Sequence, residues 1–383
     1  MPATAADAPD APAHRLTRAQ ARRLAVRAQL LTGDRPTELL DVVRHLTVVQ
    51  LDPTAAVAPS VDLVLWSRLG GSYAASDLRD ALDAGSLVEL HMMARPAEDL
   101  ALLRAEMAAW PGKDTPTSTW PSELRDWVAA NGGCRQEILA LLRAEGPLPV
   151  PALPDTCVRP WRSSGWNRGR DRVRLLELMV GRGEVAVVGR EGRDKVYDLA
   201  ERVYPDDPVV PLAEAEAERD RRRLRALGVA RPGRLVVPGE PGSVGDAGEP
   251  AVVEGVRGRW RVDPGLLAAV HDEVPGRTAL LSPLDRLVLD RRRAVELLGF
   301  DFALEMYKPA AARRWGYWAL PVLHGEELVG KVDATAEAAE GVLRVDAVHE
   351  DAPWPREVRE AVDAELEDLA AWLGLEPLRL DRR

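Results

Sequence analysis

Gln50 and Asp52 lie two positions apart in the run Thr47-Val-Val-Gln-Leu-Asp-Pro53, so on an extended chain their side chains leave the same face. A carboxylate beside a carboxamide can hold a water against a reacting carbon. The same residues have a structural use. Asp52 before Pro53 and Thr54 is a good helix start, with Asp52 as N-cap and Pro53 at the first helical position. The two uses can coexist, because a cap residue is rigidly placed. A second set is basic: Arg159, Arg162, Arg168, Arg170, Arg172 and Arg174 have only Asp171 against them, with Trp161 and Trp166 interleaved. That mixture suits nucleic acid, and equally a solvated helix face. His91, in Glu89-Leu-His-Met-Met93, is as readily a core or capping histidine as a site residue.

Composition bounds what these residues can serve. The 383 residues suffice for two to three domains, and 46% hydrophobic with 29% charged residues supports real cores. No apolar run approaches the roughly 18–20 residues of a membrane helix. The first residues carry two Asp and no apolar core, which reads as a flexible tail over 1–14 rather than a secretory signal. Cys134 and Cys157 cannot make a disulfide framework, and six scattered His offer no metal spacing. The expectation is a soluble protein of a reducing compartment, with neither metal nor cofactor. Only four of the 51 basic residues are lysines, so arginine abundance alone says little about function. A net charge of −10 opposes nucleic-acid binding on average, yet residues 157–195 hold ten bases against five acids. Residues 350–376 hold nine acids against two arginines.

The positioning elements can be read along the chain. Thr17 to Gln20 has capping-box spacing before a helix bearing Leu24, Ala28 and Leu31. A second helix runs from Pro36 or Thr37 to Leu46, then the short extended run containing Gln50. Helical patterns follow near 76–84 and 97–109, with a turn-rich linker or lid over Trp110–Trp120. Cys134–Ala144 and 167–182 read as helices. Glu184–Val188 and Lys195–Leu199 read as a hairpin that carries Arg190 and Arg193 in its turn. Three helices followed by a hairpin is the order of a winged helix, whose third helix can enter a DNA groove. Residues 211–227 read as a charged helix, and 238–250 as a flexible Gly/Pro loop before a hairpin over 251–262. Strands are expected at Tyr317–Leu323, Leu328–Asp333 and Val342–Val348, then a helix with Val358, Val362, Leu366, Leu369 and Leu373 on one face. Gly181-Arg-Gly183 half-matches a dinucleotide loop but follows a helix and precedes a strand, the reverse of what that site needs.

Several of these segments together resemble the winged-helix DNA glycosylases of the AlkZ and YcaQ type. The markers are Val49-Gln-Leu-Asp52, similar to that family's Gln-x-Asp motif, Leu63-Val-Leu-Trp-Ser-Arg-Leu69, and Gly165-Trp-Asn-Arg-Gly-Arg170 through Val196-Tyr-Asp-Leu-Ala-Glu-Arg202. Leu281-Ser-Pro-Leu-Asp285, Gly299-Phe-Asp-Phe302 and Gly316-Tyr-Trp-Ala-Leu-Pro-Val-Leu323 complete them. The resemblance implies an α+β fold of tandem winged-helix modules plus a C-terminal β-rich domain. Its divisions are a tail at 1–14, a first module with the catalytic motif at 15–130, a second at 131–205, an eroded third at 206–278, and the β-rich domain with its acidic helix at 279–383. It implies a monofunctional glycosylase of alkylated, including bulky or crosslinked, purines, with Gln50 and Asp52 catalytic and no lyase step. DNA contacts would come from Arg162, Trp166, Arg168, Arg170, Arg172, Arg174, Arg190, Arg193 and His91. The partner would be double-stranded DNA, the state monomeric, the place the cytoplasm at the nucleoid. Relatives often carry a His pair where this chain has Val61-Asp62. Two other classes are compatible with the sequence: a non-catalytic winged-helix DNA-binding protein or transcriptional regulator, and an interaction module that uses the same surface without DNA.

Overall fold

The computed structural model describes residues 13–112, 118–161, 170–233, 236–237, 240–272 and 275–379. Helices and several β-sheets alternate along the chain. Its contacts divide into two compact units, one of residues 1–75 with 220–383 and one of residues 76–219. The module boundaries read from the sequence do not coincide with these units. No helix among the described residues is long and apolar enough to cross a membrane.

In the first unit, helix Arg18–Ala28 opens with the expected capping box: Thr17 Oγ1 accepts from Gln20 N (3.1 Å) and Gln20 Oε1 from Thr17 N (2.9 Å). Two orphan amides are thereby satisfied. His14, assigned to the tail by composition, instead begins a strand, His14–Leu16, that pairs in parallel with Ala251–Val253. Strands Glu249–Val253, Trp260–Val262 and Val229–Ala230 complete that sheet. Its core joins Leu24, Trp260 and Val262 to Leu287, Phe300 and Leu323. Of the loop expected over 238–250, residues 238 and 239 lie outside the described residues, and 240–250 are more ordered than their composition predicts. Glu240–Pro241 forms a strand, Val244 is fully buried, and buried Glu240 pairs with Arg223 at 2.8 Å. One buried apolar side chain and one buried ion pair override the Gly/Pro content. The second sheet of this unit runs Thr278–Leu280, Leu320–His324, Glu327–Glu337, Val342–Glu350 and Glu376–Arg379, with helix Arg356–Leu373 before the last strand.

In the unit of residues 76–219, helices Trp120–Ala130, Gly132–Glu145 and Asp171–Gly181 precede a hairpin of Val185–Glu191 and Asp194–Leu199. Leu148–Pro149 adds an edge strand to Val196–Tyr197. A second hairpin, Leu87–Leu90 with Met93–Pro96, joins the same sheet through Glu89 and Val187. The expected helix over 97–109 is a six-residue 3-10 turn, Ala97–Leu102, followed by Arg104–Ala108. Trp127, Ile138, Leu142, Leu176, Met179 and Tyr197 anchor the core.

Candidate active site

The Gln50–Asp52 segment is placed by the elements on either side of it. Helix Leu39–Leu46 ends at Thr47, which takes the left-handed conformation (φ 67°), strained for a β-branched residue. Arg286 steadies this corner by donating from Nη1 to Leu46 O (2.9 Å) and Thr47 Oγ1 (3.3 Å). Val49–Gln50 then forms a two-residue strand. Asp52 does not cap a helix: residues 51–59 are irregular and the next helix, Ser60–Leu69, starts behind Pro59. Its carboxylate makes a tighter local turn. Oδ1 accepts from Thr54 N (2.8 Å) and Oδ2 faces Gln50 Nε2 at 3.5 Å. Ser60 N donates to Asp52 O (3.2 Å), closing the loop on the helix start. The local preference of Asp for a following amide is met, but by an Asx turn rather than a cap. The amide and carboxylate therefore face each other, both half-buried, with Asp52 held by a backbone N–H.

Asp62, where a His was expected in relatives, is buried and accepts from the Tyr73 hydroxyl at 2.5 Å. In this chain the position serves the packing of its own unit.

In the unit of residues 76–219, His91 and Met92 form the two-residue turn of the Leu87–Pro96 hairpin, both left-handed (φ 53° and 60°). Such turns favour Asn and Gly, so this pair carries strain. His91 is thus neither a core nor a capping histidine. It lines a cavity of about 310 Å³ with Glu89, Trp110, Arg174, Lys195 and Tyr197. His91 keeps an exposed edge, but desolvation by the cavity wall around its ring, then the charge of Arg95, pushes its pKa below the ordinary value and favours the neutral imidazole. Glu89, only 6% exposed, pairs with Lys195 (2.5 Å) and Arg190 (3.1 Å). Glu89, Trp110, Lys195 and Tyr197 were not singled out in the sequence. Only Glu89, two residues before His91 at the end of the strand that leads into its turn, had a readable link to it.

The arginines divide by what they touch. Arg172 Nη1 donates to Leu153 O (2.6 Å); Arg174 pairs with Glu177 (2.8 Å) and lies over the Trp161 ring at 4.5 Å. Arg170 and Arg193 are exposed and have no ion pair among the described residues. Arg162, Trp166 and Arg168 lie outside the described residues. The structure thus brings Gln50 to Asp52, and His91 to the cavity that Arg174 also lines. Among the described residues, no cluster of three His, Cys, Asp or Glu could hold a metal ion.

The fold is similar to that of the Streptomyces sahachiroi DNA glycosylase AlkZ, with a TM-score of 0.60 at 16% identity, covering 96% of this chain and 100% of that one. The family model described as DNA glycosylase AlkZ-like matches residues 43–372, a span that includes Gln50, Asp52 and the cavity at His91. The chain therefore belongs to the AlkZ-like DNA glycosylase family, enzymes that hydrolyse N-glycosyl bonds in DNA.

Proposed function

We propose that this glycosylase removes alkylated purines, bulky and crosslinked adducts included, with Gln50 and Asp52 as its reacting pair. The carrying observation is the facing amide and carboxylate, with Asp52 Oδ1 fixed by Thr54 N and Oδ2 toward Gln50. A purine alkylated at N7 or N3 is cationic and already a good leaving group, so cleavage needs little general-acid help. What it needs is stabilisation of the oxocarbenium-like sugar and a placed water. The Asp52 carboxylate supplies negative charge against the sugar and takes the proton of the attacking water. Gln50 orients that water and the sugar. Held beforehand by the turn, the carboxylate does not have to reorganise as charge develops.

DNA binding is assigned to helix Asp171–Gly181 and the hairpin after it, the third helix and wing of one of several tandem winged-helix modules. The order of helices and strands in residues 120–199 supports that reading. The protein acts as a monomer on double-stranded DNA at the nucleoid. The deciding experiment is base release from duplex DNA carrying N7-methylguanine, by wild type beside Asp52→Asn. Release by wild type alone supports substrate and site together. Equal release by both removes Asp52 from the chemistry. Release by neither, on this base and on one bulkier adduct, overturns the substrate class.

A further inference from the structure

A cleft of about 430 Å³ in the unit of residues 76–219 is walled by Trp120, Trp127, Trp161, Arg159, Pro160 and Glu123. Its volume lies within the range of about 300–1,000 Å³ typical of small-ligand sites. Trp120, Glu123 and Trp127 recur at helical spacing along Trp120–Ala130, so one helix face supplies half of the lining. Trp161 meets Trp120 edge-on (5.6 Å, 81°) and Trp127 likewise (5.0 Å, 88°), and the guanidinium of Arg174 lies over its ring.

The cleft is held in shape before any ligand arrives. Asn131 takes the Arg159 backbone by both groups: Oδ1 accepts from Arg159 N and Nδ2 donates to Arg159 O, each at 3.0 Å. Asp171 Oδ1 accepts from Trp161 N at 2.7 Å. Despite this order Trp120 is 49% exposed, an indole left in water at the first turn of its helix. The Arg159 guanidinium is exposed and has no carboxylate partner among the described residues. An exposed indole on a rigid aromatic frame, beside a free cation, fits a flat base joined to an anion. Single-stranded nucleic acid is bound by such pairing of stacking surfaces with backbone-tracking cations.

We infer that this cleft takes one unpaired, undamaged nucleotide of the DNA, its base stacked on Trp120 and its phosphate on Arg159. A duplex opened to expose a glycosidic bond offers unpaired bases, so the inference rests on the glycosylase reading and adds a strand-holding site to it. Glu123, whose Oε1 accepts from Thr119 Oγ1 at 2.9 Å, lies in the lining where an exocyclic amine can also donate to it.

The test is binding of the full chain to an end-labelled, undamaged single strand of about 16 nucleotides and to its fully paired duplex, followed by anisotropy. Trp120→Ala is expected to weaken single-strand binding about 5- to 100-fold, the equivalent of stacking one base, and to leave the duplex nearly unchanged. Trp120→Phe is expected to restore most of the loss, and Arg159→Gln to reduce the salt dependence on the single strand. Unchanged single-strand affinity in folded Trp120→Ala, or an equal loss on both DNAs, overturns the inference. So does wild type that ignores the single strand. A dimer dissolved by Trp120→Ala, with single-strand affinity intact, would make the cleft a self-association surface instead. The assay contains no lesion, so its failure is separable from a failure of base release.

Discussion

Arg68 and Asp285, 217 positions apart in sequence, face each other with both side chains fully buried. Arg68 Nη2 donates to Asp285 Oδ1 at 3.1 Å and to Gln29 Oε1 at 3.2 Å, while Nη1 reaches Asp285 Oδ2. Asp285 Oδ1 also accepts from Leu287 N at 2.9 Å, capping a short helix. Two of the sequence markers, Leu63–Leu69 and Leu281–Asp285, are thus one ion pair in space.

Breaking that pair from one side leaves a buried guanidinium without its partner. Asp285→Ala is expected to cost about 3–5 kcal/mol, read as a lower urea midpoint. Replacing both residues together, Arg68→Met with Asp285→Leu, is expected to cost much less, because no charge is stranded. A cost below about 1 kcal/mol for the single variant would mean that Gln29 and Ser67, whose Oγ accepts from Arg68 Nη1 at 2.9 Å, suffice to hold the arginine.

Asp333 is the opposite case, a carboxyl the fold holds partly against its preference. Burial, then the neighbouring Asp346, push its pKa from 3.8 up to about 6. Its folded pKa is raised, so the folded state binds the proton more tightly than the unfolded one. Stability therefore falls as pH rises through about 4 to 6, and the cost persists above that window. Asp333→Asn is expected to raise the melting temperature at pH 7.5 and to make no difference below about pH 4. Partial exposure reduces the gain to about 1 kcal/mol. A variant no more stable than wild type at pH 7.5 would place the carboxylate in better solvation than its surroundings suggest.

Where local rules and long-range packing agree, the sequence was readable. The Thr17–Gln20 capping box, the hairpin over 185–199 and the strands after Trp318 all formed near their expected positions. Local rules failed where a distant partner decided. Nothing near His14 announces a parallel pairing with Ala251, and nothing in the Gly/Pro run announces that Val244 is buried. At the site, the spacing of Gln50 and Asp52 was legible, but the cap expected at Asp52 was not formed. Its oxygen bonds Thr54 N while Ser60 N closes on the Asp52 carbonyl, which moves the helix start from the expected Pro53 to Ser60. The cavity at His91 draws on four separated stretches, and no periodicity links them.

Arg170 and Arg193, exposed and without an ion pair among the described residues, are the better probes of DNA contact. Arg170→Gln with Arg193→Gln is expected to weaken duplex binding and to shrink the slope of log affinity against log salt by about 2. Arg172→Gln, whose guanidinium is engaged by Leu153 O, is expected to change that slope less. Equal slopes for wild type and the double variant would take this helix end and hairpin turn out of the interface.

Cys134 and Cys157, 23 residues apart, bring their sulfurs to 3.5 Å. Burial first, then the hydrogen bond to Cys134, push the Cys157 thiol up to about 12. Only the thiolate alkylates, so at pH 8 native Cys157 is expected to react about a thousandfold more slowly than in the urea-unfolded chain. Mass spectrometry after timed iodoacetamide treatment reads the ratio. Fast native labelling would mean that the segment opens readily to solvent.

The Asp52 turn gives the chemical variant its control. In Asp52→Asn the side-chain oxygen that accepts from Thr54 N can remain, so the turn and the melting temperature are expected to stay close to wild type. Asp52→Ala loses that acceptor and is expected to cost about 0.5–1.5 kcal/mol. Both variants remove the negative charge, and both are expected to lose base release from N7-methylguanine by at least about 100-fold, the scale of one electrostatic stabiliser. Activity loss that follows charge in both variants, with stability loss in the alanine alone, separates the carboxylate's chemical part from its structural one. Activity that instead follows melting temperature would reduce Asp52 to a turn residue and leave the reacting carboxylate to be sought elsewhere in the chain.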